Sequence, residues 1–162
     1  MFEKLQMEVL KKAAKLDGSN NPVSRPGSKF TYRYGYTDSG DLAIFTAYYA
    51  CIIPKPFIYI NVESVFRDIA PATSNAIMQI TNDEKTKPAV LTSDLYESGG
   101  ILRNVFEVDG GERAYVNTKL LKPFNDLKIP LTFRGSSHKS PIFIYDEDGC
   151  KLGLVLPMLV SK

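Results

Sequence analysis

The first strong pattern along the chain is helical. Phe2, Leu5, Val9, Ala13 and Leu16 recur at intervals of three and four, while Lys4, Lys11 and Lys15 share the opposite face with Lys12 beside them. The spacing predicts an amphipathic helix over 2–16. Asp17-Gly18 ends it, because glycine accepts the left-handed backbone that follows a helix. Residues 19–28 carry Pro22, Pro26 and Gly27 without periodicity and read as loop. Segments 29–36 and 41–53 are β-rich and predict a hairpin around Thr37-Asp38-Ser39-Gly40. Pro54 and Pro56 close that region, since a central strand cannot lose two backbone donors. A short strand is expected at 57–60, then a two-turn helix from Val62, Val65, Phe66 and Ile69, stopped by Pro71. Segments 76–81, 88–96 and 101–108 read as three strands, the last two separated by Ser98-Gly99-Gly100.

The final third of the chain repeats that order. Asp109-Gly110-Gly111 turns into a strand at 113–116, and Asn117 stands where a side chain can cap a helix. Leu120, Leu121, Phe124 and Leu127 then share one helical side, with Pro123 inside the helix as a missing backbone donor. Strands are expected at 129–134, 141–146 and 151–160, the last two joined by Asp146-Glu147-Asp148-Gly149, an Asp-Gly hairpin signal. Tyr59-Ile60-Asn61 is echoed 56 residues later by Tyr115-Val116-Asn117. Two ordinary strand-to-helix junctions would give the same local likeness. The repeated order nevertheless predicts an α+β fold of mostly antiparallel sheets. A domain over 57–162 would hold two β-α-βββ units with two short helices, preceded by a helix-and-hairpin extension over 1–56.

Composition narrows the function classes. The 162 residues are 44% hydrophobic and 23% charged, as in an ordinary globular domain, with nine Tyr, nine Phe and no Trp. A net charge of +2 does not by itself mark a nucleic-acid binder, although residues 1–56 hold eight Lys/Arg against five Asp/Glu. No apolar run reaches a membrane span and no signal-peptide core is evident, so a cytoplasmic, membrane-independent location is expected. Cys51 and Cys150 lack metal-ligand spacing and make no disulfide framework, which fits a reducing compartment. His138, the single histidine, lies in a turn-like Gly135-Ser136-Ser137-His138-Lys139. Cys51 sits in an apolar strand, and Asp146, Glu147 and Asp148 occupy a hairpin tip. Neither glycine pair precedes a helix with a phosphate-loop Lys-Ser/Thr. No catalytic constellation, metal site or cofactor site is expected.

Four stretches carry a resemblance. They are KPAVLTSDLYESGGILRNVFEVDGGERAYVN, VNTKLL, SHKSPIFIYDEDG and LGLVLPMLV. Together they resemble one domain, the C-terminal one, of the DNA sliding clamps of the bacterial DNA polymerase III β-subunit type, over residues 57–160. The chain departs from that pattern at Leu159, where the family has a basic residue after the methionine, and in offering one such domain where a clamp chain has three. The resemblance implies a non-enzymatic DNA-replication accessory that meets double-stranded DNA without reading its sequence. Lys4, Lys11, Lys15, Lys119 and Lys122 are the candidate phosphate contacts, though lysines on an outer helix face also serve solubility alone. It further implies that replication proteins dock a short linear peptide against Leu154, Leu156, Pro157 and Met158. Alternate members of that strand would equally serve as core. The competing function is a structural or protein-interaction module that keeps only the fold. One domain cannot surround a duplex, so a monomer or small oligomer is expected.

Overall fold

The computed structural model describes residues 1–17, 32–65 and 70–159. The chain is α+β, and among the described residues the strands within each compact unit pair antiparallel except for one short parallel contact. It divides into two compact units, Met1–Asn82 and Asp83–Lys162, so the expected boundary at 56/57 falls inside the first.

The first unit begins with α1 (Phe2–Asp17), which packs on β3 (Tyr49–Ile53). Phe2, Leu5, Val9 and Leu10 are buried, as the apolar spacing requires. Strands β1 (Arg33–Tyr36), β2 (Leu42–Phe45) and β3 form an antiparallel meander. The single strand expected over 41–53 is therefore two. Thr46 divides it: its hydroxyl accepts from the Tyr48 backbone N–H at 3.1 Å, and its own N–H donates to the Tyr49 carbonyl at 2.9 Å.

The 57–60 segment is not a strand. Lys55–Phe57 forms a 3-10 turn, followed by α2 (Val62–Val65), where Asn61 accepts from the Ser64 N–H at 3.3 Å. Phe66 and Ile69, the rest of that expected helix, lie outside the described residues. After β4 (Ala70–Pro71), which pairs parallel with β1, the expected strand at 76–81 is a helix, α3 (Ser74–Ile80). Thr73 caps it by accepting from Ala76 N–H at 3.2 Å, and Ile77 alone among its residues is buried. The first of the two expected β-α-βββ units is thus not realised.

The second is. In the second unit, β5 (Lys87–Ser98), β6 (Ile101–Glu107) and β7 (Arg113–Asn117) lead into α4 (Thr118–Asn125). Next come β8 (Leu131–Gly135), β9 (Ile142–Asp146) and β10 (Lys151–Val155). The strand order is β10-β9-β8-β5-β6-β7. Asn117 caps α4 by accepting from the Lys119 N–H at 3.0 Å. Pro123 stays within α4 and is buried with Leu121 and Phe124.

Beyond β10 the chain returns to the opposite edge of this sheet. Met158 N–H donates to the Tyr115 carbonyl at 2.7 Å. Three residues after Val155 span at most about 10 Å, so the β10 end and the β7 edge approach each other and the sheet is strongly curled. Helix α4 packs against β6, β7 and β10, across that approach. Phe106 and Phe133 meet edge-to-face at 4.9 Å in the core.

Candidate functional site

The residues proposed for binding belong to different elements. On α1, Lys4 and Lys11 are exposed opposite the buried Phe2–Leu5–Val9 face, as expected of an amphipathic helix. The side chain of Lys15 lies outside the described residues. On α4, Lys119 is exposed, while Lys122 donates to Asp126 at 2.7 Å in an i, i+4 pair. Half of the basic character expected on that helix is thereby balanced within the helix.

The apolar quartet divides as well. Leu154 is buried along with Leu152 and Val155 and belongs to the core. Leu156, Pro157 and Met158 are half-buried, and Leu159 stands 68% exposed. The ladder with β9 ends at Val155, two residues before Pro157, and the Met158 bond to β7 ties this tail to the sheet.

The residues weighed for chemistry have structural partners. Cys51 is fully buried in β3, and burial pushes its thiol well above the ordinary range, which leaves it inert. Asp146 spends its carboxylate on the hairpin, accepting from the N–H groups of Asp148 at 2.9 Å and Cys150 at 2.8 Å. Gly149 supplies the positive φ that this turn needs. His138 meets Glu112 twice: its backbone N–H donates at 2.9 Å, and Nδ1 lies 2.8 Å from the same carboxylate oxygen. The histidine's hydrogen bond holds the Glu112 carboxyl below its usual range. These two contacts tie the loop at His138 to Glu112. Among the described residues no group of three or more His, Cys, Asp or Glu could hold a metal ion, and no helix is long and apolar enough to cross a membrane.

Two features escaped the sequence reading. The first is a polar cluster at the start of the second unit. Tyr145 on β9 donates to Asp83, whose carboxylate also lies 3.2 Å from Lys151 Nζ on β10. Thr86 donates to the Asp83 carbonyl at 2.6 Å, and Arg134 on β8 reaches the Thr86 carbonyl at 2.6 Å. Burial would raise the Asp83 pKa, but the bonds from Tyr145 and Lys151 outweigh it and hold the carboxyl below its ordinary range. Burial, and then the bond to Asp83, push the tyrosine up. A protonated phenol on a doubly paired carboxylate is a fastener, not an acid–base pair. Its members are 62 residues apart, so spacing carries no sign of it.

The second is Arg103 on β6, only 7% exposed, which lies over Tyr96 and donates to the carbonyls of Ser98 and Ile101 at 3.2 Å each. It tightens the Ser98–Ile101 turn from below, a role that no motif in the sequence announces.

Comparison of the chain with known protein families, with curated proteins and with solved structures returns no match.

Proposed function

We propose that the protein is a non-enzymatic, clamp-like accessory of DNA replication that touches duplex DNA through exposed lysines without reading base sequence. One observation supports this most directly. The stretches that resemble a sliding-clamp domain fold together as β7-α4-β8-β9-β10, with Asn117 capping the helix and the Leu-Pro-Met tail bonded back to Tyr115. Lys4, Lys11 and Lys119 supply cationic groups on helix faces turned to solvent, where contacts to phosphate are loose and salt-sensitive. The same reading assigns Leu156, Pro157 and Met158 to contact with a replication protein's linear peptide, with Leu154 contributing packing from beneath. It places the protein in the cytoplasm. A second reading is an interaction module that keeps the fold without the DNA contact. The Lys122–Asp126 pair favours it, because it weakens the basic face of α4.

Fluorescence anisotropy with labelled duplexes of unrelated sequence separates the two. The expected result is weak binding of equal strength for each duplex, with log K falling against log salt by about 0.9 for each phosphate neutralised. Lys11→Glu combined with Lys119→Glu weakens it further and flattens the slope. A chain with no detectable binding at low salt is the interaction module.

A further inference from the structure

Strand β5 changes partners along its length. Lys87, Pro88 and Ala89 pair with Gly135, Arg134 and Phe133 of β8, whereas the stretch from Val90 onward pairs with β6. Past Ala89, therefore, the side of β5 that faced β8 meets no strand among the described residues. A bulge lies between Leu91 and Leu95, where Thr92 donates to the Val105 carbonyl at 2.8 Å and accepts from the Asp94 N–H at 3.2 Å. Beyond it, Leu95–Ser98 is regular strand, paired on the inner side with Asn104, Arg103, Leu102 and Ile101. At about 3.3 Å per residue this open edge is roughly 13 Å long, comparable to the edge that a short extended peptide occupies when it adds to a sheet.

The chemistry along the edge selects its occupant. Leu95 is 58% exposed and Leu102, diagonal to it on the same face, 43% exposed. Glu97 lies directly opposite Leu102, is exposed, and has no cationic partner among the described residues. Asp94 is also exposed and already paired with Arg113. No base lies within 91–98, so two copies of this edge would bring carboxylates against carboxylates. Leu95 and Glu97 lie two residues apart on one face, so a strand with an apolar and a basic residue at positions i and i+2 meets the opposite situation. It sets an apolar side chain beside Leu95 and Leu102 and a cation beside Glu97.

We propose that the free edge of β5 at Leu95–Ser98 is a β-augmentation site for an extended peptide segment that carries an apolar and a basic residue at positions i and i+2. The backbone supplies the hydrogen bonds, and Leu95, Leu102 and Glu97 supply the preference. This surface is distinct from the lysines assigned to DNA and from the tail at Leu156–Met158.

The test uses the full chain and a synthetic peptide repeating valine-threonine-lysine-threonine, which sets valine and lysine in turn on one face. Hydrogen exchange is expected to show slowed amides within 95–98 on binding. The same peptide with every backbone nitrogen methylated is expected to bind at least about tenfold more weakly, because it keeps the side chains and loses the donors. Glu97→Lys, an exposed change that leaves the fold intact by circular dichroism, is expected to weaken the unmethylated peptide several-fold. No binding at millimolar peptide overturns the proposal. So does equal binding of the methylated peptide, or protection that appears on β7 and not on β5. A dimer of the unliganded chain with 95–98 already protected would make the occupant a second copy and overturn the assignment to a peptide.

Discussion

Gly35 holds its place for want of room. A Cβ there would stand 2.9 Å from the Ala72 carbonyl oxygen and 2.9 Å from Ile77, so β1 lies as close to α3 as a bare backbone allows. Gly35→Ala is expected to destabilise the protein by about 1–3 kcal/mol, read as a lower urea midpoint at unchanged slope. Asp83 gives a different kind of prediction. Its carboxyl is held below the unfolded value by Tyr145 and Lys151, so the folded state favours the ionised form. That contribution is complete above the unfolded aspartate pKa of about 3.9 and is lost as pH falls through the lower folded value. Stability measured from neutral pH down through this range should therefore drop less steeply in Asp83→Asn than in the parent. Parallel curves would mean that the carboxylate gains nothing from its partners. Some residues announced these roles in advance. Asn117 before an apolar helical run is a cap by its own chemistry, and Asp146 before Gly149 is a turn. Asp83, Tyr145 and Lys151 could not be grouped from the sequence, because only the sheet brings them together.

Among elements, the legible ones are those whose pattern and punctuation agree. Helix α1 has a clean apolar face, and the β5–β6 hairpin has Gly99-Gly100, both at positive φ. Segment 76–81 misled because Ala76, Met78 and Ile80 alternate with Ile77 and Gln79 in a way that fits a strand as well as a helix. The deciding signal was outside the segment, in Thr73, whose side chain caps α3. The break at Thr46 had no glycine or proline to mark it, only a hydroxyl able to bond two residues ahead. The surfaces proposed for binding were legible to the same degree. Exposure of Lys4, Lys11 and Lys119 follows from helical spacing, whereas the burial of Leu154 and the pairing of Lys122 depend on which face of each element meets its neighbours. The open stretch of β5 was not legible at all, since a sequence records a strand but not where its partner leaves it. At this scale the bond from Met158 to Tyr115 is also testable. Met158→Pro removes the donor and is expected to cost about 1 kcal/mol in equilibrium unfolding. An unchanged midpoint would show that the tail contributes nothing to holding the sheet curled.

For the whole molecule, the formal charge of +2 hides an uneven distribution, with exposed lysines on α1 and α4 and unbalanced acid on the β5 edge. That edge opposes self-association through β5, because it would set like charges together. Sedimentation equilibrium is accordingly expected to give a monomer, or a dimer at most. A stable ring of several copies would require an interface that the β5 edge does not provide. The bond between Met158 and Tyr115 has one more consequence, for a chain made from its N-terminus onward. Strand β7 and helix α4 are synthesised well before the residue that secures the curl of their sheet. Until β10 is made, the apolar side of α4, with Leu121 and Phe124, lacks one of the strands it packs against. A released chain cut short after Val155 would lack this bond and leave the sheet open on one side, a species suited to capture by a chaperone.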